Sequence, residues 1–456
     1  MSELETLLRS KIKGQLHFAK EIETKYLTDF VGARVGTADA YVKALDEEDV
    51  KNTLVIANST RTPVVVRGAG TNLTGSTIPD GGIVLDVSGM NRILNLDEET
   101  LTVTVEAGVL LKDLIEYVEA RGYLYAPDPA EKNASIGGNV STNAGGMRAV
   151  KYGVTRNYVL ALDMYKIDGT KVHLGATTYK YSTGLNLQQL LVGSEGTLGV
   201  ITKIVLKLLP LPEFTLNAVL AYDSLATGIK NVNVIFNSHL DPTAIEFVEK
   251  KVIALGEKFL NKQFPCQEAK SYLIVTLDGN KESVYERFEK LKNVVKANGA
   301  IDVIPLDDEN VAKDIWAVRG AIARAVNASG LWEPVDIVVP INRITDFVSY
   351  VDTVTTSGGP RIVAFGHAGD GNVHLCVLKD DIADDLWPKV LHETMEKLYR
   401  KSYELGGVIS GEHGVGKGKR DFLLQNMTSE QRDLMVGVKK AFDPNNLLNP
   451  HCGYAL

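Results

Sequence analysis

The sequence predicts an α+β protein of at least two domains, and three observations support this prediction. Segments with helical and with strand periodicity alternate along the chain, and a turn-forming Asp168-Gly169 pair lies between two strand-like segments. A Pro-Leu-Pro sequence at 210–212 interrupts the pattern near the middle, where proline cannot extend a central strand. A chain of 456 residues also exceeds the size of a typical single domain.

Local patterns assign individual elements to both halves of the chain. Helices are expected over residues 1–60, where the apolar positions of ALDEEDVKNTLVIANST recur at helical spacing. PVVVRG, GGIVLDVS and LTVTVEAG are expected to be strands, and in the last of these Leu101, Val103 and Val105 alternate with polar residues as in a half-buried strand. In the second half, SYLIVTLDG, KESVYERFEKLKNVVKANG and AIDVIPL predict a strand, a helix and a strand.

Composition narrows the class of protein. The chain is 45% hydrophobic and 23% charged, which is typical of a globular protein, and its net charge of -8 without a basic stripe excludes a nucleic-acid partner. The three cysteines are widely spaced, which argues against a disulfide framework. No segment has the apolar run of a signal peptide or a membrane span. We therefore expect a cytoplasmic protein without a transmembrane segment, either free or peripheral at a membrane.

Three segments of the first half are rich in glycine: RGAGTNLTG at 67–75, SIGGNVSTNAGG at 135–146 and VGSEGTLG at 192–199. Glycine permits positive φ and close approach of a ligand, so such loops can direct several N–H groups at a phosphate. Taken singly, each segment is better explained as a turn, whereas three in one half of the chain favour a phosphate-bearing ligand. A dinucleotide-binding Gly-x-Gly-x-x-Gly fingerprint is excluded, because Leu73 occupies the third glycine position.

Three of the eight histidines fall in two motifs near the C-terminus. GHAGDGNVH contains His367 and His374, and SGEHGVGKG contains Glu412 and His413. Two imidazoles and a carboxylate suit Zn²⁺, Fe²⁺ or Mn²⁺ and leave positions open for a substrate. The alternative is that each histidine lies in a turn and makes ordinary hydrogen bonds; the flanking glycines and the adjacent acid favour the metal site. If Glu412 and His413 are extended, their side chains point in opposite directions, which favours different roles.

With these motifs the sequence resembles the FAD-linked oxidoreductases of the vanillyl-alcohol-oxidase type. The branch it resembles holds D-lactate dehydrogenase, the glycolate oxidase catalytic subunit and D-2-hydroxyglutarate dehydrogenase. The resemblance spans nearly the whole chain and rests on VVVRGAGTNLTGS, PDPAEKNASIGGNVSTNAGGMRAVKYG, VGSEGTLGVIT, GHAGDGNVH and EHGVG. It implies a two-lobed FAD-binding domain at 1–212 and an α+β substrate domain with an antiparallel sheet at 213–410. A C-terminal segment at 411–456 would carry the EHG motif and pack back on the FAD-binding domain.

The resemblance also assigns residues to a cofactor, FAD. The first segment would bind the pyrophosphate through Arg67, Gly68, Gly70, Thr71, Asn72 and Gly75. The flavin and ribityl chain would be lined by Pro127, Ser135, Gly138, Ser141, Thr142 and Gly145. The adenosine end would be near Glu195, Gly196 and Ile201, and Asn449 would also contact the cofactor. None of the three segments carries the histidine that covalently flavinylated relatives use, so FAD is expected to be non-covalent.

For the chemistry, the resemblance implies His367, His374 and Glu412 as metal ligands and His413 as the catalytic base. Arg319, in DIWAVRGAIARAV, would bind the substrate's carboxylate; the alternative is an exposed helix arginine. The implied reaction is metal-assisted oxidation of a D-2-hydroxy acid to the 2-keto acid, with proton transfer to His413 and hydride transfer to flavin N5. Electrons would pass to a redox partner such as an electron-transferring flavoprotein or a quinone, in a homodimer or a hetero-complex.

The substrate is expected to be a short monocarboxylate, D-lactate ahead of glycolate. Ala323 stands where the 2-hydroxyglutarate branch has a threonine, Pro334-Val335 where it has Lys-Tyr, and Cys376 where it has an asparagine. Groups that could hold a second carboxylate are thus missing, and burial of an unpaired carboxylate is costly. Glycolate dehydrogenase and D-2-hydroxyglutarate dehydrogenase remain alternatives. An FAD-dependent alkyl transferase of the same fold is less favoured, because its relatives carry a different histidine motif.

Overall fold

The structure is a computed structural model that describes residues 2–32, 34–328 and 330–454, without the side chains of residues 309–311 and 323. The chain divides into two compact units. The first unit comprises Met1–Gly145, Gly153–Leu211 and Glu412–Leu456, and the second comprises Gly146–Tyr152 and Pro212–Gly411. Both units combine helices with sheets, which confirms the predicted α+β class.

Strands and helices are numbered in chain order. The described strands are β1 (Gln15–Phe18), β2 (Ala40–Lys43), β3 (Val64–Arg67), β4 (Ile83–Asp86), β5 (Ile93–Asp97), β6 (Thr102–Glu106), β7 (Tyr123–Leu124), β8 (Val159–Tyr165), β9 (Lys171–Gly175), β10 (Val200–Lys207), β11 (Leu209–Pro210), β12 (Phe214–Tyr222), β13 (Ala244–Glu249), β14 (Ser271–Gly279), β15 (Asp302–Pro305), β16 (Trp332–Val338), β17 (Ile362–His367) and β18 (Asn372–Leu378). The described α-helices are α1 (Glu3–Lys11), α2 (Glu47–Thr60), α3 (Leu111–Glu119), α4 (Ile136–Thr142), α5 (Ala149–Tyr152), α6 (Gln188–Leu191), α7 (Leu225–Asn237), α8 (Lys250–Leu260), α9 (Lys281–Ala297), α10 (Glu309–Ala328), α11 (Ile344–Thr356), α12 (Trp387–Glu404), α13 (Arg420–Asn426) and α14 (Ser429–Phe442). Short 3₁₀-helices cover Ala19–Glu21, Thr24–Tyr26, Thr155–Asn157 and Ile341–Arg343. Among these helices, none has the length and apolar character that crossing a bilayer requires.

The first unit contains the two-lobed architecture that the resemblance implies. One sheet has the strand order β1-β2-β4-β3, in which β2 and β3 both pair with β4 in parallel. The other has the order β5-β6-β10-β8-β9 and is antiparallel. The C-terminal segment joins the first sheet, because the Val64 N–H donates to the Leu447 carbonyl at 2.7 Å and the Asn449 N–H donates to the Val64 carbonyl at 2.8 Å.

The prediction of helices throughout residues 1–60 is wrong in part. Helix α2 is present and begins after Asp46, whose carboxylate accepts from the N–H groups of Glu48 and Asp49. The region also contains strands β1 and β2, which the sequence pattern did not indicate. Strand β2 is buried and pairs with β4 from a later part of the chain, so its conformation is set by a partner that a local pattern does not contain.

Strand β6 is buried on both faces rather than half-buried. It begins at Thr102, whereas Leu101, predicted to be part of the alternation, has a φ of 52° and precedes the strand. Thr102 and Glu106 are buried like Val103 and Val105, and Thr104 between them is half-buried. The strand is covered more fully than its polar residues suggested, and it is an inner strand of its sheet, between β5 and β10.

The second unit is built on one seven-stranded sheet, which confirms the predicted antiparallel sheet. Its order is β15-β12-β14-β13-β17-β18-β16, and every neighbouring pair is antiparallel. Helices α8 and α10 pack against one face and bury Val248, Val363 and Cys376 in an apolar core. Because side chains alternate along a strand, Glu246, which is two residues from Val248, lies on the same face.

Candidate active site

A large cavity in the first unit is lined by all three glycine-rich segments. The space between its walls is about 1230 Å³, counting the part that is open to solvent at its mouth. The predicted cofactor residues in its lining are Gly68, Gly70, Thr71, Asn72, Ser135, Gly138, Ser141, Thr142, Gly145, Glu195, Gly196 and Ile201. The three segments, which are distant in sequence, thus form one surface.

Glycine is required where two of these segments approach each other. A Cβ atom on Gly68 would lie 2.2 Å from Oγ of Ser135, which is closer than real Cβ contacts allow. The Ser135 hydroxyl accepts from the N–H of Gly138 at 3.2 Å and from that of Ala69 at 3.4 Å. The first and second segments are therefore joined by a side chain that a larger residue at position 68 would displace.

Among the described residues, four of those predicted to contact the cofactor lie outside the cavity lining: Arg67, Gly75, Pro127 and Asn449. Arg67 is buried under the first segment and donates to the Thr28 carbonyl at 2.7 Å. The Asn449 amide donates to the carbonyls of Ser76 at 2.9 Å and Glu195 at 2.7 Å. Arg67 and Asn449 thus hold the loops that form the wall, and any contact of these four with a cofactor remains a prediction.

Glu195 has a second contact that its predicted place near the adenosine did not suggest. Its carboxylate accepts from the backbone N–H groups of Val415 and Gly416, each at 2.9 Å. Burial raises the pKa of Glu195, and these two hydrogen bonds offset part of that effect. Glu195 therefore fastens the EHGVG loop to the third glycine-rich segment.

The same cavity receives the EHG motif. Glu412 and His413 both belong to its lining, and a Cβ atom on Gly145 would lie 2.7 Å from Oε2 of Glu412. The His413 ring is largely enclosed, with a side-chain exposure of 17%. The first unit thus brings an acid and an imidazole to the wall that the glycine-rich segments form.

In the second unit the two histidines of GHAGDGNVH lie on neighbouring strands rather than in turns. His367 ends β17 and His374 lies near the start of β18, with residues 368–371 forming the connection. Glu246 of β13 pairs directly with His367, and Asp336 of β16 pairs directly with His374. Across four strands the register therefore produces a line of side chains, Glu246, His367, His374 and Asp336, which we call the acid–imidazole row.

The acid–imidazole row has the geometry of a cation site. The Nε2 atoms of His367 and His374 face each other at 3.2 Å, with the two rings nearly perpendicular at 89°. Metal–nitrogen bonds of about 2.0–2.1 Å at a tetrahedral angle separate two ligand nitrogens by about 3.3 Å. The two imidazoles therefore fit a shared divalent ion of the kind that the sequence predicts.

Each histidine of the row has a carboxylate on the side opposite its neighbour. Nδ1 of His367 contacts the Glu246 carboxylate, and Nδ1 of His374 is 4.0 Å from the Asp336 carboxylate. The Asp336 carboxylate is itself held by the Asn372 amide at 2.7 Å and by the Gly411 N–H at 2.9 Å. Gly411 is the residue before Glu412 in the chain.

Arg319 of α10 extends the row at its Glu246 end. It donates to Oε2 of Glu246 at 2.7 Å, and its guanidinium carbon lies 5.4 Å from the centre of the Phe365 ring. The arginine side chain is 21% exposed, which differs from the alternative of an exposed helix arginine. Burial alone would raise the pKa of Glu246, but the neighbouring His367 and Arg319 lower it.

Sequence reasoning missed the two acids of the row, Glu246 and Asp336. Each is a single acid within an otherwise apolar strand, in AIEFV and VDIVV, and each is almost fully buried. A lone carboxylate in a buried strand requires a partner, so this pattern was an available signal. The identity of the partner depends on the register of the sheet, so it could not be predicted from the sequence.

Comparison with known proteins agrees with this architecture. Residues 38–175 match the family described as FAD binding domain, and residues 211–452 match the family described as FAD linked oxidases, C-terminal domain. A D-lactate dehydrogenase of Anaerostipes hadrus is 43% identical over 420 residues, which cover 90% of this chain and 88% of that protein. The glycolate oxidase subunit GlcD of Bacillus subtilis (strain 168) is 36% identical over 418 residues, which cover 90% and 88%.

A solved structure shares the fold. P-cresol methylhydroxylase with substrate bound matches with a TM-score of 0.81 over 99% of this chain and 96% of that chain. The sequence identity is 16%, so this likeness concerns the fold alone.

Proposed function

Since this chain belongs to the FAD-linked oxidoreductases of the vanillyl-alcohol-oxidase type and is an FAD-dependent hydroxy-acid dehydrogenase, we propose a specific substrate for it. The proposed reaction is oxidation of a small D-2-hydroxy acid to the 2-keto acid, with D-lactate as the preferred substrate. The observation that carries the proposal is the acid–imidazole row, since two facing Nε2 atoms backed by carboxylates suit a cation that binds a hydroxy acid. The cavity of the first unit, with Glu412 and His413 in its wall, supports it independently.

We assign FAD to this cavity. In this proposal residues 1–212 form the FAD-binding domain, residues 213–410 form the substrate domain, and residues 411–456 return to the first. When bound, FAD supplies an acceptor, flavin N5, for the hydride that leaves Cα of the substrate. The backbone N–H groups of Gly68 and Gly70 lie in the segment that the resemblance assigns to the pyrophosphate.

FAD is expected to be held without a covalent bond, because the three glycine-rich segments contain no histidine. Acid precipitation of the purified protein should therefore release the flavin, and the yellow colour should appear in the supernatant. Absorbance of the supernatant and of the redissolved pellet measures the partition. Flavin that stays with the pellet would contradict non-covalent binding.

His367, His374 and Glu412 are the metal ligands in this proposal, with Zn²⁺, Fe²⁺ or Mn²⁺ as the ion. When bound, the ion lowers the pKa of the substrate's 2-hydroxyl. His413 takes the hydroxyl proton, a role that suits an imidazole because it titrates near neutral pH. Arg319 binds the 1-carboxylate through N–H groups of its planar fork that Glu246 does not use.

A short monocarboxylate is favoured over a dicarboxylate by the residues next to the acid–imidazole row. Cys376 lies two residues beyond His374 on the same face of β18 and is paired across the sheet with Pro334 of β16. Both are buried, and burial raises the pKa of the Cys376 thiol to about 12, so neither offers a cation or a strong donor. Ala323 is the third position at which this sequence differs from the 2-hydroxyglutarate branch, and its side chain is not among those that the structure describes.

Anaerobic flavin bleaching tests the proposed reaction. D-lactate, L-lactate, glycolate and D-2-hydroxyglutarate would each be mixed with the oxidised holoenzyme, with and without a chelator, and absorbance followed at the visible flavin band. We expect the fastest bleaching with D-lactate and its loss after chelation, restored by Zn²⁺ or Mn²⁺. Bleaching by L-lactate alone, or equal rates with chelator, would contradict the proposal.

Electrons are proposed to leave through a separate acceptor, with the protein in the cytoplasm or peripheral at a membrane. The reduced enzyme from the same experiment can be mixed with a quinone analogue or an electron-transferring flavoprotein. Reoxidation by dioxygen that is faster than by either acceptor would contradict this part of the proposal.

A further inference from the structure

We propose that Glu246 is a positioning residue that sets the ring orientation of the proposed metal ligand His367 and couples that ligand to Arg319. This inference deepens the proposed function and rests on it for the presence of a cation. It assigns a role to a residue that lies outside the three glycine-rich segments and outside the two histidine motifs.

The first argument is the position of Glu246 in the sheet. It lies directly opposite His367 on the neighbouring strand, so the two side chains share one face and are cross-strand neighbours. The carboxylate contacts Nδ1 of the imidazole. A carboxylate accepts only, so Nδ1 carries the proton and the lone pair of the neutral ring is at Nε2. That is the atom that faces His374 at 3.2 Å.

The second argument is burial. The Glu246 side chain is 2% exposed, and a buried carboxylate is stable only when it is paired. Its two oxygens are divided between two partners, Oε1 to His367 and Oε2 to Arg319 at 2.7 Å. One carboxylate therefore fixes both the imidazole and the guanidinium. Mutation of the residue that hydrogen-bonds to a metal-bound histidine typically lowers the metal affinity by about 10- to 100-fold.

The third argument concerns charge. With neutral imidazoles, Glu246 and Arg319 cancel, and Asp336 leaves the row with one negative charge. Glu412, the third proposed ligand, adds another negative charge, so a divalent cation would bring the net charge of these groups to zero. Replacing Glu246 by a neutral residue would leave Arg319 uncompensated beside the cation, so cation binding should weaken through both orientation and repulsion.

The test compares Glu246→Gln with a matched control on the same strand, Glu249→Gln. Glu249 ends β13 on the opposite face and pairs with Lys251 at 3.1 Å. Metal-depleted holoenzyme of each variant would be titrated with Zn²⁺ against a chromophoric chelator, with bound FAD and the thermal midpoint measured in parallel. We expect the Zn²⁺ affinity of Glu246→Gln to fall about 10- to 100-fold, with the control unchanged.

A rescue experiment separates positioning from a merely structural role. The three proposed ligands remain in Glu246→Gln, so saturating Zn²⁺ should restore most of its kcat for D-lactate. Glu246→Asp, which keeps the charge at a shorter reach, should bind Zn²⁺ with intermediate affinity and covers the case in which the Gln variant fails to fold. Equal Zn²⁺ affinity of the wild type and Glu246→Gln would overturn the inference and leave the proposed function intact.

Two further outcomes would separate the positioning role of Glu246 from the proposed function. Loss of kcat in Glu246→Gln that saturating Zn²⁺ does not restore would also overturn the positioning role. Zn²⁺ binding that depends on Glu246, in an enzyme that oxidises no hydroxy acid, would contradict the proposed function and support the inference.

Discussion

Replacing His413 by asparagine should slow flavin reduction by D-lactate about 100- to 10,000-fold while FAD and metal stay bound. Removal of a positioned general base typically has an effect of this size. His413 lines the cavity but is not among the proposed metal ligands, so its loss should leave both cofactors in place. Stopped-flow bleaching of the flavin under anaerobic conditions measures the rate, and metal analysis measures the content.

His173→Asn is the matched control for this experiment. His173 lies on β9 at the surface of the same unit, with a side-chain exposure of 61%, and contacts Asp163 at 2.7 Å. Its replacement should leave the rate of bleaching unchanged. An unaltered rate in His413→Asn would exclude His413 as the base, and loss of metal from that variant would reassign it as a ligand.

Replacing Arg319 by methionine should lower kcat/KM for D-lactate about 100-fold or more, mainly through a higher KM. In the proposed complex Arg319 and the substrate's carboxylate form a charge pair, and truncating one member of such a buried pair costs about 2–5 kcal/mol of binding free energy. The same helix supplies a control in Arg324, an exposed residue whose guanidinium carbon lies 5.9 Å from the Phe259 ring centre.

Steady-state turnover with an artificial electron acceptor measures both parameters. Arg324→Met should keep the KM of the wild type. A raised KM in both variants would indicate a general charge effect of the helix, and an unchanged KM in Arg319→Met would remove Arg319 from substrate binding.

Local patterns predicted many elements correctly, because their determinants lie within a few residues. The Asp168-Gly169 pair forms the turn of the β8–β9 hairpin, with Gly169 at a φ of 80°. Strand β2 was missed because its buried position depends on β4. The strand conformation of His367 and His374 was likewise not predicted, because it depends on pairing with β13 and β16.

Some residues of the candidate site could be predicted from the sequence and others could not. Motifs indicated His367 and His374, and the structure brings these two side chains together within the second unit. The acids behind them depend on which strands become neighbours, so Glu246 could not be connected to His367 from sequence alone. Glu195 shows the same limit, because its carboxylate contacts the N–H of Val415, a residue far away in sequence.

The discontinuous first unit has a consequence for protein synthesis. Strand β3 is bordered by residues from the C-terminal segment, and the buried Lys439 ammonium donates to the Thr197 and Leu448 carbonyls. A ribosome delivers the N-terminal strands first, yet these neighbours emerge last. The second unit is complete in sequence at Gly411, so it is available to fold during translation, whereas the first unit still requires the residues that follow Gly411.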